Sequence, residues 1–440
     1  MDTPPRRKAS LSSFISVRLP SAGTWSAALV IVPIASVAAC DRFAYWSSAD
    51  DTDGRVEDSG PSALAASAVS AGSGEVVPAD PAAVLRSIAT CGVEIYERFA
   101  VDADALSAAS ARAASTTSTE DRDAARAAWV TAMSTWQEAE LLRIGPAGPA
   151  TLPEGRNLRD EIYAWPLSSR CLIESTLVSR AYEESDFVER SLINVRTLAA
   201  AEYLLFYEPS DNACTATSSI NESGAWAGLS SSELAARKLQ YAAVVTADVE
   251  ASARALAEAW SEGGGDFGGK LAASGKSGSP FKSTQAALNA ISDGLFYLDE
   301  EVKDDKLATP LGLLGCDASS CPDSVESRFA KRSVRHVEAN LRGFQRFFAG
   351  CEASSDVGFD DLLASAGAAD LGLAMQVHSE QALAAATAIE SDDLAAVIAA
   401  ERPVAEGLHA AVKRVTDDLK ADMMSVLDLD APASVEGDND

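Results

Sequence analysis

VRHVEANLRGFQRFF, residues 334–348, decides the fold. Its large apolar side chains Val334, Val337, Leu341, Phe344 and Phe348 recur at steps of three and four. That rhythm puts them on one stripe of an α-helix that needs a partner surface. Segment 288–302 repeats it with Leu288, Ile291, Leu295, Leu298 and Val302. The longest run carries Leu394, Val397, Leu408, Val412, Val415, Leu419 and Met423 in the same phase. Alternating β-branched runs of useful length are absent. Gly263–Gly269 and Gly275–Pro280 read as loops. Neither has the strand–glycine–helix pattern of a phosphate-binding loop. The expected class is all-α, with two helical-bundle lobes.

Around these helices stands a chain of 440 residues with 65 acidic and 36 basic side chains, a net charge of −29. At 47% hydrophobic residues it has ample material for a core. The charge excludes nucleic acid as a natural partner and favours cationic ligands. Only His336, His378 and His409 occur, which rules out most His-rich metal centres. Glu406-x-x-His409 has the spacing of a di-iron bundle half-site, but no second copy exists, so a solvated helix face is expected there.

The first forty residues read as an address. Arg6, Arg7, Lys8 and Arg18 precede an apolar stretch from Thr24 to Ala39, which ends in Val37-Ala38-Ala39-Cys40. Basic start, apolar middle and small residues describe a secretory signal peptide over 1–39. A cysteine at the cut resembles a bacterial lipobox, which makes Cys40 the expected lipid-attachment site. Residues 40–80 then form a flexible linker. Residues 81–222 are the expected N-terminal helical lobe and 223–430 the C-terminal one, divided near the polar stretch Asp211–Gly228; 431–440 is an acidic tail. The expected location is the bacterial cell envelope, lipid-anchored and facing the periplasm.

Six further cysteines fit an exported chain, and six allow fifteen pairings. Cys316 and Cys321, close together in a loop, are the expected bridge; the pairing of Cys91, Cys171, Cys214 and Cys351 stays open. No C-x-x-C occurs, so thioredoxin chemistry and c-type haem attachment find no support.

Two glutamates lie on inward stripes. In a helix near 129–143, Glu140 follows Trp129, Met133 and Trp136; in one near 192–206, Glu202 follows Val195 and Leu198. A core-facing carboxylate must be paired, protonated or bound to a cation. Arg143 for Glu140, and Arg196 or Arg170 for Glu202, are the plain structural partners. H-E-x-x-H and G-x-S-x-G motifs are absent.

The segments AWVTAMSTWQEAELLRIGPA (128–147), IYAWPL (162–167), TLAAAEYLLF (197–206), KDDKLATPLG (303–312), ESRFAKRSVRHVEANLRGFQRFF (326–348), FDDLLASAG (359–367) and VTDDLKADMMSVLDL (415–429) together resemble the imelysin-like proteins. The likeness runs in order over roughly 81–430. It implies two helical lobes with a site between them, and an exported bacterial protein, often a lipoprotein, tied in several members to iron uptake. The family also carries a metallopeptidase label. Its G-x-H-x-x-E motif falls here on Thr197, Ala199 and Glu202, so only the glutamate is kept.

The expected function is therefore a cell-envelope lipoprotein that binds or helps acquire a metal, iron or another divalent or trivalent cation. Its candidate metal ligands are Glu202, Glu140, Glu326 (through the family-like Glu326-Ser327 pair) and Asp160. No catalytic residue is nominated. The alternative is a non-catalytic scaffold for an envelope protein partner. A metallopeptidase is the weakest reading, because the motif histidine is missing and hydrolysis needs a metal with an open position and a base.

Overall fold

The computed structural model describes residues 79–351 and 356–432. The expected signal peptide, Cys40, nearly all of the linker and most of the acidic tail lie outside these residues. Among the described residues there is no β-strand. The α-helices of nine or more residues are α1 (Pro81–Thr116), α2 (Thr119–Ala139), α3 (Arg170–Ser179), α4 (Leu198–Phe206), α5 (Ser231–Trp260), α6 (Thr284–Leu295), α7 (Ser333–Ala349), α8 (Ala369–Thr387) and α9 (Leu394–Asp418). A π-helix, Leu298–Ala308, follows α6, and a shorter π-helical stretch, Leu419–Met423, follows α9. No helix among the described residues is long and apolar enough to cross a membrane.

Local chemistry sets the ends. Asp80 caps α1 by accepting from the Ala82 amide, and Pro81 occupies the first turn, where a missing N–H costs nothing. Ser118, Ser230 and Asp393 cap α2, α5 and α9 in the same way. The helix expected near 129–143 stops at Ala139, so Glu140 is its C-cap. Shortly beyond, Gly145 at φ +53° and Pro146 turn the chain away. The helix expected near 192–206 is likewise shorter. It begins only at Leu198, after Thr197 at φ 94° and ψ 172°. The long stripe from Leu394 bends at Glu401, which leaves helical geometry two residues before Pro403.

α1 lies along α5 and α2; α2 packs on α7, α7 on α8, and α8 on α9, while α9 covers the π-helix. α4 is wedged against α2 and α5. Elements from both sides of residue 222 thus share one core. Trp129, Trp136 and Trp260 are fully buried in it, each stabilising by roughly 2–3 kcal/mol. All five stripe residues of 334–348 are buried. Gly343 lets α7 touch α2, since a Cβ there would strike the Glu138 carbonyl oxygen. Three disulfides close the body: Cys91–Cys351, Cys171–Cys214 and the expected Cys316–Cys321.

Candidate functional site

The π-helix sets up the centre of the molecule. Its sequence, LDEEVKDDKLA, reads as a charge run, yet Asp299, Lys303 and Lys306 are buried. Lys306 is 1% exposed, and its ammonium meets groups from α2, α7 and the segment before α7. It donates to Gln137 Oε1 at 2.5 Å and to Asn340 Oδ1 at 2.9 Å. It lies 3.2 Å from Glu326 Oε1 and 3.7 Å from Glu140 Oε2. Two of the nominated metal ligands therefore share a lysine.

Glu326 is fully buried. Its Oε1 accepts from Gln137 Nε2 at 3.0 Å and from the Tyr163 hydroxyl at 2.8 Å. Its Oε2 lies 3.3 Å from His336 Nδ1, close enough for an ion pair but outside aligned hydrogen-bond geometry. Burial alone would raise the Glu326 pKa; Lys306 and then His336 and Tyr163 outweigh it and hold the carboxyl at about 2. Glu140 accepts from the Tyr297 hydroxyl and lies 3.7 Å from Arg159 Nη2. Arg143, expected as its partner, instead pairs with Glu300 and Glu301. Burial, then the charges of Glu326 and Glu140 respectively, keeps the phenols of Tyr163 and Tyr297 well above their usual pKa, so both stay donors.

Glu202 is placed differently. Neither Arg196 nor Arg170 reaches it: Arg196 pairs with Glu161 and Asp248, and Arg170 with Glu174 and Asp211. Its Oε1 accepts from the backbone amides of Phe329 at 2.8 Å and Ala330 at 2.9 Å. Burial pushes its pKa up to about 7, against the pull of those two amides. Glu202 lines a cavity of about 370 Å³ together with Arg170, Asp305, Asp323, Arg328 and Phe329. Asp160, the remaining nominee, stays near the surface, 46% exposed, on Arg159.

The structure thus brings Glu140 and Glu326 together, sets Glu202 beside them in the cavity wall, and leaves Asp160 outside. Among the described residues no group of three or more His, Cys, Asp or Glu side chains is disposed to hold a metal ion. The residues do not fit a resident metal between Glu140 and Glu326, because the Lys306 ammonium already supplies the cation there. What the cavity offers is one carboxyl that exchanges its proton near neutrality, two more acids and two guanidinium groups: a binding surface for a polar ligand. Sequence reading missed Lys306, Gln137, Tyr163, Tyr297, His336 and Asn340. Of these, Gln137, Lys306, His336 and Asn340 stand within helical steps of buried stripe residues such as Met133, Val302 and Val337, and that spacing is the signal that could have found them.

The family model for imelysin matches residues 92–423. An imelysin-like protein from Psychrobacter arcticum 273-4 has 17% sequence identity and a TM-score of 0.59, covering 79% of this chain and 96% of its own. A protein from Parabacteroides distasonis ATCC 8503, provisionally named iron-regulated protein A precursor, has 18% identity and a TM-score of 0.60, covering 79% and 94%. At these identities the likeness is one of fold. No curated protein matches the chain.

Proposed function

The chain belongs to the imelysin family, and from that premise we propose that it is an exported cell-envelope protein, lipid-anchored at Cys40, that binds a ligand in iron acquisition without hydrolysing peptides. The observation that carries this reading is the place of Glu202, buried, held on two backbone amides and facing the 370 Å³ cavity. Iron as cargo would meet Glu202, with Asp305 and Asp323 as further hard oxygen donors along the wall. Three disulfides suit an oxidising compartment, in support of export. The name of the Parabacteroides protein supports the link to iron.

A second reading, a scaffold that binds an envelope partner and no metal, is favoured by Lys306, which neutralises the deepest acids from within. Calorimetric titration of residues 79–432 with ferric and ferrous iron, zinc and calcium separates the two. One-to-one binding of iron, lost in Glu202→Ala, supports the cargo reading. No binding of any of the four overturns it and leaves the scaffold. Peptide cleavage abolished by Glu202→Ala would overturn both.

A further inference from the structure

A second cavity, of about 400 Å³, lies between the first half of α2, the segment after α4 and the start of α5. In a chain of net charge −29 its charged lining is mainly basic: Arg122, Arg126 and Lys238, with Glu208 as the acid among them. Lys238 is 4% exposed. It donates to the Tyr207 carbonyl at 2.6 Å and lies 4.8 and 5.1 Å from the Tyr203 and Tyr207 ring centroids. Among the described residues it forms no ion pair. An ammonium has three donors, and burying it without an anion is unfavourable. Arg126 donates to the Leu205 carbonyl at 2.7 Å, to Glu208 Oε1 at 2.8 Å and to Asp123 Oδ1 at 3.2 Å, while Arg122 reaches the same Glu208 oxygen only at 3.9 Å. The Arg122 Nε is buried and has no partner. Glu208 itself is 62% exposed. Apolar side chains, Leu204, Leu234 and Leu239 among them, form the rest of the wall.

We propose that this cavity is a binding site for a small organic acid, its carboxylate seated on Lys238 and Arg126 in place of the Glu208 side chain and its apolar body against the leucines. Lys238 and Arg126 also hold the Tyr207 and Leu205 carbonyls at the end of α4, but neither lines the Glu202 cavity, so the inference stands apart from the function above. Burial, with the neighbouring Arg170 charge in the same sense, outweighs Glu174, Asp211 and Glu208 and lowers the Lys238 pKa to about 8. Binding therefore weakens as pH rises past 8 and the ammonium loses its proton.

The test is calorimetric titration of residues 79–432 with sodium benzoate and, separately, inorganic phosphate, at constant ionic strength. Saturable benzoate binding, tighter than phosphate, is expected. Lys238→Met should weaken it at least tenfold; because the Tyr207 carbonyl loses its donor, the melting temperature is read alongside to show that the variant stays folded. Glu208→Gln, at the surface, should tighten it several-fold by removing the competing carboxylate, and this arm holds even if Lys238→Met misfolds. Absence of saturation by about 10 mM benzoate, equal or tighter binding of phosphate, or unchanged affinity in both variants would overturn the proposal.

Discussion

Lys306 Nζ lies 3.2 Å from Glu326 Oε1, with both side chains at most 1% exposed. The pair joins the π-helix to the segment before α7, and its hydrogen bonds run on to Gln137 at the end of α2. A buried ion pair is weak evidence of net stabilisation, but removing one member leaves a charge that the core cannot solvate. Lys306→Ala should therefore lower stability by ~3–5 kcal/mol in chemical denaturation. The double variant Lys306→Met with Glu326→Gln should recover much of that loss. A change under ~1 kcal/mol in the single variant would mean that water reaches the cluster.

Thr197 occupies φ 94° and ψ 172°, a backbone region that glycine tolerates and a β-branched residue resists. The glycine of the family motif maps to this position. Its hydroxyl is buried with no hydrogen-bond partner, which adds a second cost. Thr197→Gly should raise stability by ~1 kcal/mol, read as a higher melting temperature. A lower one would show that the buried threonine methyl matters more than the strain.

Glu202 gives a signed pH dependence. Its pKa is raised to about 7 in the folded chain, above the ordinary carboxylate value near 4.5. Below that ordinary value both states are protonated, and the group has no effect. As pH rises through the window, the unfolded chain loses its proton first, so stability falls until about pH 7 and then levels. The limiting effect is about 3 kcal/mol. Glu202→Gln should flatten the profile between pH 5 and 8, with a gain at pH 8 and little change at pH 5. Glu326, held at about 2, works in the opposite sense: its contribution is complete above the ordinary value and is lost as pH falls toward 2.

The disulfides differ in the chain they close. Cys91–Cys351 spans 260 residues and ties α1 to the end of α7, whereas Cys316–Cys321 spans 5. Loop-closure entropy assigns roughly 5.5 kcal/mol to the first and roughly 2 to the second. Paired alanine substitutions, compared by urea unfolding, should keep that order; the reverse would show that the short bridge acts through native contacts.

Much of the fold was legible because helix packing writes itself in local spacing. The stripe at 334–348 is buried as its rhythm requires, and Glu202 faces inward as its neighbours indicate. The centre was not legible, for two reasons. DEEVKDDK (299–306) reads by composition as a charge run, yet Asp299, Lys303 and Lys306 follow the inward Leu295 and Val302 at helical steps and are buried. In addition, Tyr163 reaches Glu326 across 163 residues and Tyr297 reaches Glu140 across 157, distances that no local period encodes. Arg143 failed as a partner for Glu140 because α2 ends at Ala139, so the two never share a helical turn.

The central claim is that Lys306, and no metal, is the cation between Glu140 and Glu326, with any bound metal confined to the cavity beside Glu202. Crystals soaked in ferrous iron or zinc, with anomalous scattering recorded at each absorption edge, test it most directly. The account expects no anomalous peak between Glu140 and Glu326, Lys306 seated on both carboxylates, and any bound ion against Glu202. A peak between Glu140 and Glu326 with Lys306 displaced would contradict it.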